Sequence, residues 1–284
     1  MNELANYEQR MINTERGSFE IFISGTGKPL CITHLYQEFS ISGSAFADCL
    51  SPFYKVILVN LKQAGNSSKT WNSNELTMNE TVKDLESIRT ELGYSKWSFA
   101  GHSTGGFLGL TYATSNPQVL ESLILCDTSA SKEFLNSESC IYNFKTGQHR
   151  KEVSKIFLAL MLPFVSKTKK RIANKKLIEL SLYKPEKYNE YFSERPFSKI
   201  IRKRMRAYNK DLKTYDVRDK LKHINFPTLI LCGQYDVQCP VLYSKEMHTL
   251  IPDSKLVIFE NSNHFPFVEE KESFIIAIRK FTTI

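Results

Sequence analysis

The sequence predicts an α/β protein with a mostly parallel central sheet flanked by helices and interrupted once by a helical insertion. Three observations carry this prediction. Short apolar runs alternate with amphipathic stretches of helical period, the pattern of strands joined by crossover helices. The alternation stops after position 127 and resumes at 226, with only helix-like periodicity between. Charge is also segregated. The chain carries +8 in total, but positions 130–222 hold 24 Lys+Arg against 10 Asp+Glu and the remainder is net negative. The middle segment therefore has a surface chemistry of its own.

The expected strands, in order, are 20–24, 30–34, 55–60, 96–101, 120–127, 228–232 and 255–260. Most are rich in β-branched or aromatic residues and bounded by Gly, Pro, Asn or Ser. Helical patterns at 78–92, 105–115, 241–250 and 269–281 supply the crossovers, which favours a parallel sheet covered on both faces. Within the insertion, 151–162, 169–182 and 198–212 place apolar residues every three to four positions and read as helices. The expected organisation is a core formed by 1–129 and 217–284 and a helical unit at 130–216.

Composition narrows the function classes. With 42% hydrophobic residues over 284 positions, the chain can bury a large core, which excludes general disorder. The longest apolar run, 156–165, contains Pro163 and is about half the length a membrane span needs. The N-terminal stretch has no apolar core of a secretory signal, so none is expected. Six cysteines are too sparse for a disulfide scaffold and form no C-x-x-C pair. Cys31, Cys126 and Cys232 lie inside strand-like runs, as reduced core residues do, which points to the cytoplasm and away from a metal.

The sharpest motif is WSFAGHSTGGFLGLTYA, 97–113. A strand enters Gly101-His102-Ser103-Thr104-Gly105 and a helix follows at once. Small residues two before and two after a serine let strand and helix pass closely, and the turn lifts Ser103 Oγ off the sheet. The helix N-terminus then faces any negative charge that develops beside it. A nucleophilic serine needs a base and an orienting acid. Of six histidines, His264 is the candidate base, because it lies in a loop directly after a strand, where open α/β sheets place their ligands. His102 sits within the turn, His34 ends an early strand, and His149, His223 and His248 lie in polar surroundings. Asp236, in the loop after strand 228–232, is favoured as the acid, with Asp127 at the end of the preceding strand as its rival. The order Ser103, Asp236, His264 is one of three known for such triads.

Together, PLCITHLYQEF, ILVNLKQAGNS, FAGHSTGG, LILCGQYD and NSNHFPFVEE make the chain resemble the α/β-hydrolase superfamily across residues 15–127 and 217–284. The resemblance implies an α/β-hydrolase fold in which the insertion is a cap over the site. It also implies an oxyanion hole of backbone N–H groups, one from Thr104 and one from Leu35 or Tyr36. Where many members have His-Gly, this chain has His34-Leu35-Tyr36, and the common D-x-R-G-x-G-x-S loop reads as 60–67, NLKQAGNS. Catalysis by such a set requires no metal or organic cofactor.

Hydrolysis of a carboxylic ester, or a related acyl bond, of a small molecule is the leading expectation. The alternative is a prolyl-aminopeptidase-like enzyme, since SGTGKPLCITH and ILVNLKQAGNS are similar to that family. Its HGGPG and GGSWGS motifs are replaced here by HLYQE and AGHSTGG. That activity also requires cap carboxylates for the substrate amine, and Glu179, Glu186, Glu190 and Glu194 are the candidates. From a different class, the same fold could serve as a non-catalytic small-molecule binder, although binding alone does not require all three triad residues. No nucleic-acid partner is expected. The apolar strip Ile156, Phe157, Leu160, Met161, Phe164, followed by Lys167, Lys169, Lys170, Arg171, Lys175 and Lys176, allows weak attraction to anionic surfaces.

Overall fold

A computed structural model describes residues 6–162, 164–192 and 198–283. Pro163 and Glu194, and the side chain of Met161, thus lie outside the described residues. Eight strands form one sheet: β1 (Glu8–Thr14), β2 (Gly17–Ser24), β3 (Pro29–Thr33), β4 (Lys55–Val59), β5 (Trp97–His102), β6 (Leu120–Cys126), β7 (Thr228–Gly233) and β8 (Ser254–Phe259). Their spatial order is β1-β2-β4-β3-β5-β6-β7-β8. β2 pairs antiparallel with both β1 and β4, while every pairing from β4 to β8 is parallel. β1 was not expected. Its sequence, EQRMINT, is polar and mostly exposed, because it is an edge strand and no core demands a hydrophobic face from it.

The central strands are buried on both faces, as their apolar runs require. One layer packs Phe99, Leu123 and Ile230 against Val82, Leu85 and Leu110 of two flanking helices, Met78–Glu91 and Thr104–Ser115. The other packs Ile32, Leu58 and Leu231 against Phe46 and the C-terminal helix. The expected helix at 269–281 is two elements, Pro266–Glu269 and Lys271–Thr282, broken at Glu270 (φ −130°). The second presents Phe274, Ala277, Ile278 and Phe281 to the core, spacings of three and four that share one helix face. Six cysteines are buried and unbridged.

Strand order positions the site. The chain runs from β3 to β4 on one side, then returns past β3 to lay β5 on its other side. The loops after β3 and β5 therefore leave in opposite directions and open a crevice at the carboxyl end of the sheet.

Residues 130–216 contain four α-helices among the described residues, Arg150–Met161, Lys167–Glu179, Tyr188–Phe192 and Arg202–Leu212, with short 3-10 turns at Lys132–Asn136 and Pro185–Lys187. Val153 and Ile156 turn inward, whereas Leu158, Leu162 and Phe164 are exposed, so the apolar strip divides between packing and solvent. The last of these helices is tied into the core by Arg204, which is almost fully buried. Its guanidinium donates to Leu35 O (2.5 Å), Lys62 O (3.4 Å) and Thr81 Oγ1 (2.9 Å). Burial pushes its pKa down to about 10, opposed by the nearby Asp84 and Asp211 carboxylates, so it stays charged at neutral pH. Arg204→Met keeps the volume and removes every donor. Stranding those acceptors costs on the order of 3 kcal/mol, so a clear drop in melting temperature is expected. An unchanged melting temperature would show that the tie carries no stability.

Candidate active site

Ser103 lies between β5 and the helix Thr104–Ser115 with φ 52° and ψ −120°. Non-glycine residues rarely occupy this left-handed region, and holding one there costs about 1–3 kcal/mol. The surroundings make the turn possible. A Cβ on Gly101 would lie 2.3 Å from the Gly105 backbone, and one on Gly105 would lie 2.5 Å from Thr33 O. A Cβ on Gly106 would lie 2.5 Å from the Thr128 side chain, whose hydroxyl donates to Ser103 O (2.9 Å). Ser103 N–H donates to Cys126 O (2.9 Å), completing the tie to β6. Ser103 caps the helix in position only, since its side chain makes no capping hydrogen bond.

Ser103 and His264 line the same cleft of about 420 Å³, roofed by the insertion through Leu177, Ile178 and Phe192. His264 follows β8 and is 2% exposed, and its Nδ1 lies 3.0 Å from Asp236 Oδ1. That oxygen also accepts from Gln238 N (2.7 Å) and Cys239 N (3.0 Å). Two amides and the His264 ring thus converge on one buried oxygen, and with Nδ1 turned to Asp236, Nε2 is the ring nitrogen left for the cleft. Asp127, the rival acid, ends β6 with φ 48° and bonds Gly233 N (2.9 Å) rather than a histidine.

The other two histidines near the cleft serve His264 and the loop after β3. His102 Nε2 lies 2.8 Å from His264 O, and its ring packs 4.7 Å from the His264 ring. Burial and the neighbouring imidazole keep it neutral, with a pKa well below the usual histidine range. It consequently donates to the carbonyl and fixes the His264 backbone. His34 Nδ1 accepts from Tyr36 N (3.2 Å) and Gln37 N (3.1 Å), which assigns its proton to Nε2, 3.1 Å from Thr104 Oγ1. Burial, then His264, lowers its pKa to about 3. Neither role was legible in the sequence, because a histidine within the turn beside Ser103 or at the end of an early strand looks there no different from a core residue.

The loop after β3 departs from expectation in one respect. The Tyr36 N–H, one of two amides expected to face a developing oxyanion, is directed at His34 Nδ1. Leu35 needs no left-handed backbone, packs its side chain in the core and gives its carbonyl to Arg204. An imidazole cap thus replaces the glycine flexibility usual at this turn. Thr104 N–H opens the helix after Ser103 and has no intrahelical acceptor by its position.

Phe39, Phe46, Phe265 and Phe267 form an aromatic wall of the cleft. Glu38 is its only lining carboxylate among the described residues, and it accepts from Gly65 N (3.0 Å) and pairs with Lys199 (3.4 Å). The described glutamates of the insertion named above are elsewhere: Glu179 pairs with Lys175 (3.7 Å), Glu190 pairs with Lys187 (3.2 Å), and Glu186 is exposed. Asp127, Cys232 and Asp236 bring potential metal-ligand atoms within 4.8 Å of one another, but behind His264 and away from the cleft lining.

A serine-bearing turn at a sheet crossover, with a histidine–aspartate pair at the adjoining strand ends, is the arrangement of α/β-hydrolase enzymes. Residues 23–271 match the model of the α/β hydrolase fold family, and the chain belongs to that family. A solved α/β fold family hydrolase from Bacillus anthracis str. Sterne is 39% identical, covers 98% of this chain and 100% of its own, and superposes with a TM-score of 0.94. An esterase from Exiguobacterium antarcticum shares the fold at 21% identity and a TM-score of 0.73, covering 98% and 100% of the two chains. Among characterised sequences, a proline iminopeptidase of Lactobacillus acidophilus is 28% identical over 240 residues, 80% of each chain. The protein is therefore a hydrolase of this family.

The steric argument for the turn predicts the effect of one methyl group. Gly105→Ala drives a Cβ into the Thr33 carbonyl, and the forced shift costs about 1–3 kcal/mol. A lower melting temperature together with reduced turnover is expected; native values for both would refute close passage as the reason for glycine here.

Proposed function

We propose that this hydrolase cleaves a carboxylic ester, or a closely related acyl bond, of a small molecule. Ser103 Oγ attacks the carbonyl while His264 Nε2 takes its proton. Asp236 holds the imidazole tautomer and stabilises the imidazolium. The Thr104 and Leu35 N–H groups stabilise the oxyanion, and water then releases the acyl group from Ser103 with His264 as base.

The observation that carries the ester reading is the electrostatics of the cleft. An amine-terminal substrate needs an uncompensated carboxylate, because a buried ammonium without a partner is costly. Among the described residues, Glu38 is already matched by Lys199 and an amide, and Glu179, Glu186 and Glu190 do not reach the cleft lining; Glu194 lies outside them. The aromatic wall suits an apolar acyl or alcohol group. A prolyl-aminopeptidase-like activity is the second reading, supported by relatives named proline iminopeptidase at 28% identity. Six unbridged cysteines, with no helix among the described residues long and apolar enough to cross a membrane, favour a reducing compartment such as the cytoplasm.

Initial rates on a short-chain p-nitrophenyl ester and a prolyl p-nitroanilide separate the two readings. Ester cleavage without anilide cleavage is expected, and Ser103→Ala should lower it by roughly three orders of magnitude or more while leaving the circular dichroism spectrum native. Anilide cleavage that depends on Ser103 would reverse the ranking. Activity unaffected in Ser103→Ala would remove the mechanism altogether.

The exposed Phe164 beside Lys167, Lys169 and Lys170 gives the cap an apolar, cationic face. Weak attraction to anionic surfaces is the corresponding proposal. Vesicles containing phosphatidylserine should retain more protein than neutral phosphatidylcholine vesicles at low salt, with the difference fading as salt screens it. Equal retention would count against any surface-facing role.

A further inference from the structure

Asp127 is fully buried and lies beside Asp236, with carboxylate atoms of the pair no more than 4.8 Å apart. The two ask different things of their neighbours. Asp236 Oδ1 receives three N–H groups, including that of His264, whereas its Oδ2 is buried with no hydrogen-bond donor. Asp127 Oδ1 receives only the Gly233 amide (2.9 Å), and Oδ2 has the Cys126 thiol (3.0 Å).

The titratable groups facing the pair are Cys126 from β6, Cys232 from β7, Cys239, Cys140 and Tyr142 from the adjoining loops, and His264 beyond Asp236. Burial pushes each of these thiols and the Tyr142 phenol up, so they stay neutral and bring no charge. Among the described residues no Lys or Arg forms an ion pair with either carboxylate. Two adjoining carboxylates in such a place cannot both ionise.

We propose that Asp127 is a neutral carboxylic acid in the resting enzyme, donating its proton to the otherwise unpartnered Oδ2 of Asp236. The assignment rests on Asp236 being the triad acid. Asp236, with three donors, keeps the single negative charge; Asp127, with one amide and a thiol, keeps the proton. Burial and the Asp236 charge both push the Asp127 pKa well above the usual carboxylate range. The hydrogen bond fixes the Asp236 carboxylate plane and lowers its basicity, so the Nδ1 proton stays on His264. Asp127 thus acts through Asp236 as a positioning residue.

Asp127→Asn and Asp127→Gly test this, because both residues accept the φ of 48° at this site. Asn retains a donor toward Asp236, and Gly removes it. The infrared spectrum of the native protein at neutral pH should show a protonated carboxyl band that is lost in Asp127→Asn. Replacing one neutral group by another should hold the acidic limb of kcat/KM within about 0.3 unit of native. Asp127→Gly should lose roughly tenfold or more in kcat relative to Asp127→Asn, with little change in KM. Melting curves identify a variant that has not folded, and the infrared comparison needs only the isosteric Asn variant.

Three results would overturn the assignment: no band lost, an acidic limb lowered by about a unit or more in Asp127→Asn, or a stoichiometric metal in the purified protein in place of the proton. Asp236→Asn guards the underlying reading and should cost about three orders of magnitude or more in kcat. If Asp127→Asn collapses while Asp236→Asn remains active, the triad assignment itself fails. A shifted limb with that order intact rejects the proton assignment alone.

Discussion

Ser103 is held at φ 52° by contacts that leave no room for a β-carbon at three neighbouring positions. β5 must end against the first turn of the following helix, and that turn must pass within contact of the Thr33 carbonyl on β3 and the Thr128 side chain beyond β6. Each approach depends on a glycine, and together they set the spacing between Ser103 and both loops that flank it. Relaxing the serine would move the helix N-terminus away from the cleft and dismantle the reason for placing the other groups there. The strain, about 1–3 kcal/mol, is small beside the burial of the surrounding strands, so the core can maintain it.

A second constraint joins the insertion to the loop after β3. Ile201 N–H donates to Tyr36 O (2.7 Å), Glu38 N–H to Lys199 O (3.2 Å), and Arg204 to Leu35 O. The same few residues thus form one wall of the cleft and the attachment of the helical roof to it. Arg204 tolerates burial because its donors are used on backbone and hydroxyl acceptors while Asp84 and Asp211 supply a favourable field.

Electrostatically, the site is built from groups kept neutral. His34 and His102 line the cleft near His264, half-buried, and both are held neutral. Both are instead used through fixed tautomers, one capping a turn and the other holding a carbonyl. Asp236 Oδ1 gathers the amides of Gln238 and Cys239 and faces His264 Nδ1, and the low-dielectric surround makes any extra charge nearby costly.

The sequence by itself determined the alternation of strands and helices, the interruption after 127, and the turn carrying Ser103. Each of these is a local matter of side-chain period or of small residues at fixed spacing. It also placed Asp236 and His264 at strand ends, since apolar runs mark where a buried strand stops. β1 escaped detection because an exposed edge has no hydrophobic period to display. Tertiary structure alone decided that Asp236 rather than Asp127 contacts His264, because both end neighbouring strands and only the paths of the loops after β6 and β7 distinguish them. It also decided that His34 takes the Tyr36 amide, and that Arg204, 169 residues from Leu35 in the chain, reaches its carbonyl. Such contacts depend on where distant segments meet, which no local pattern encodes.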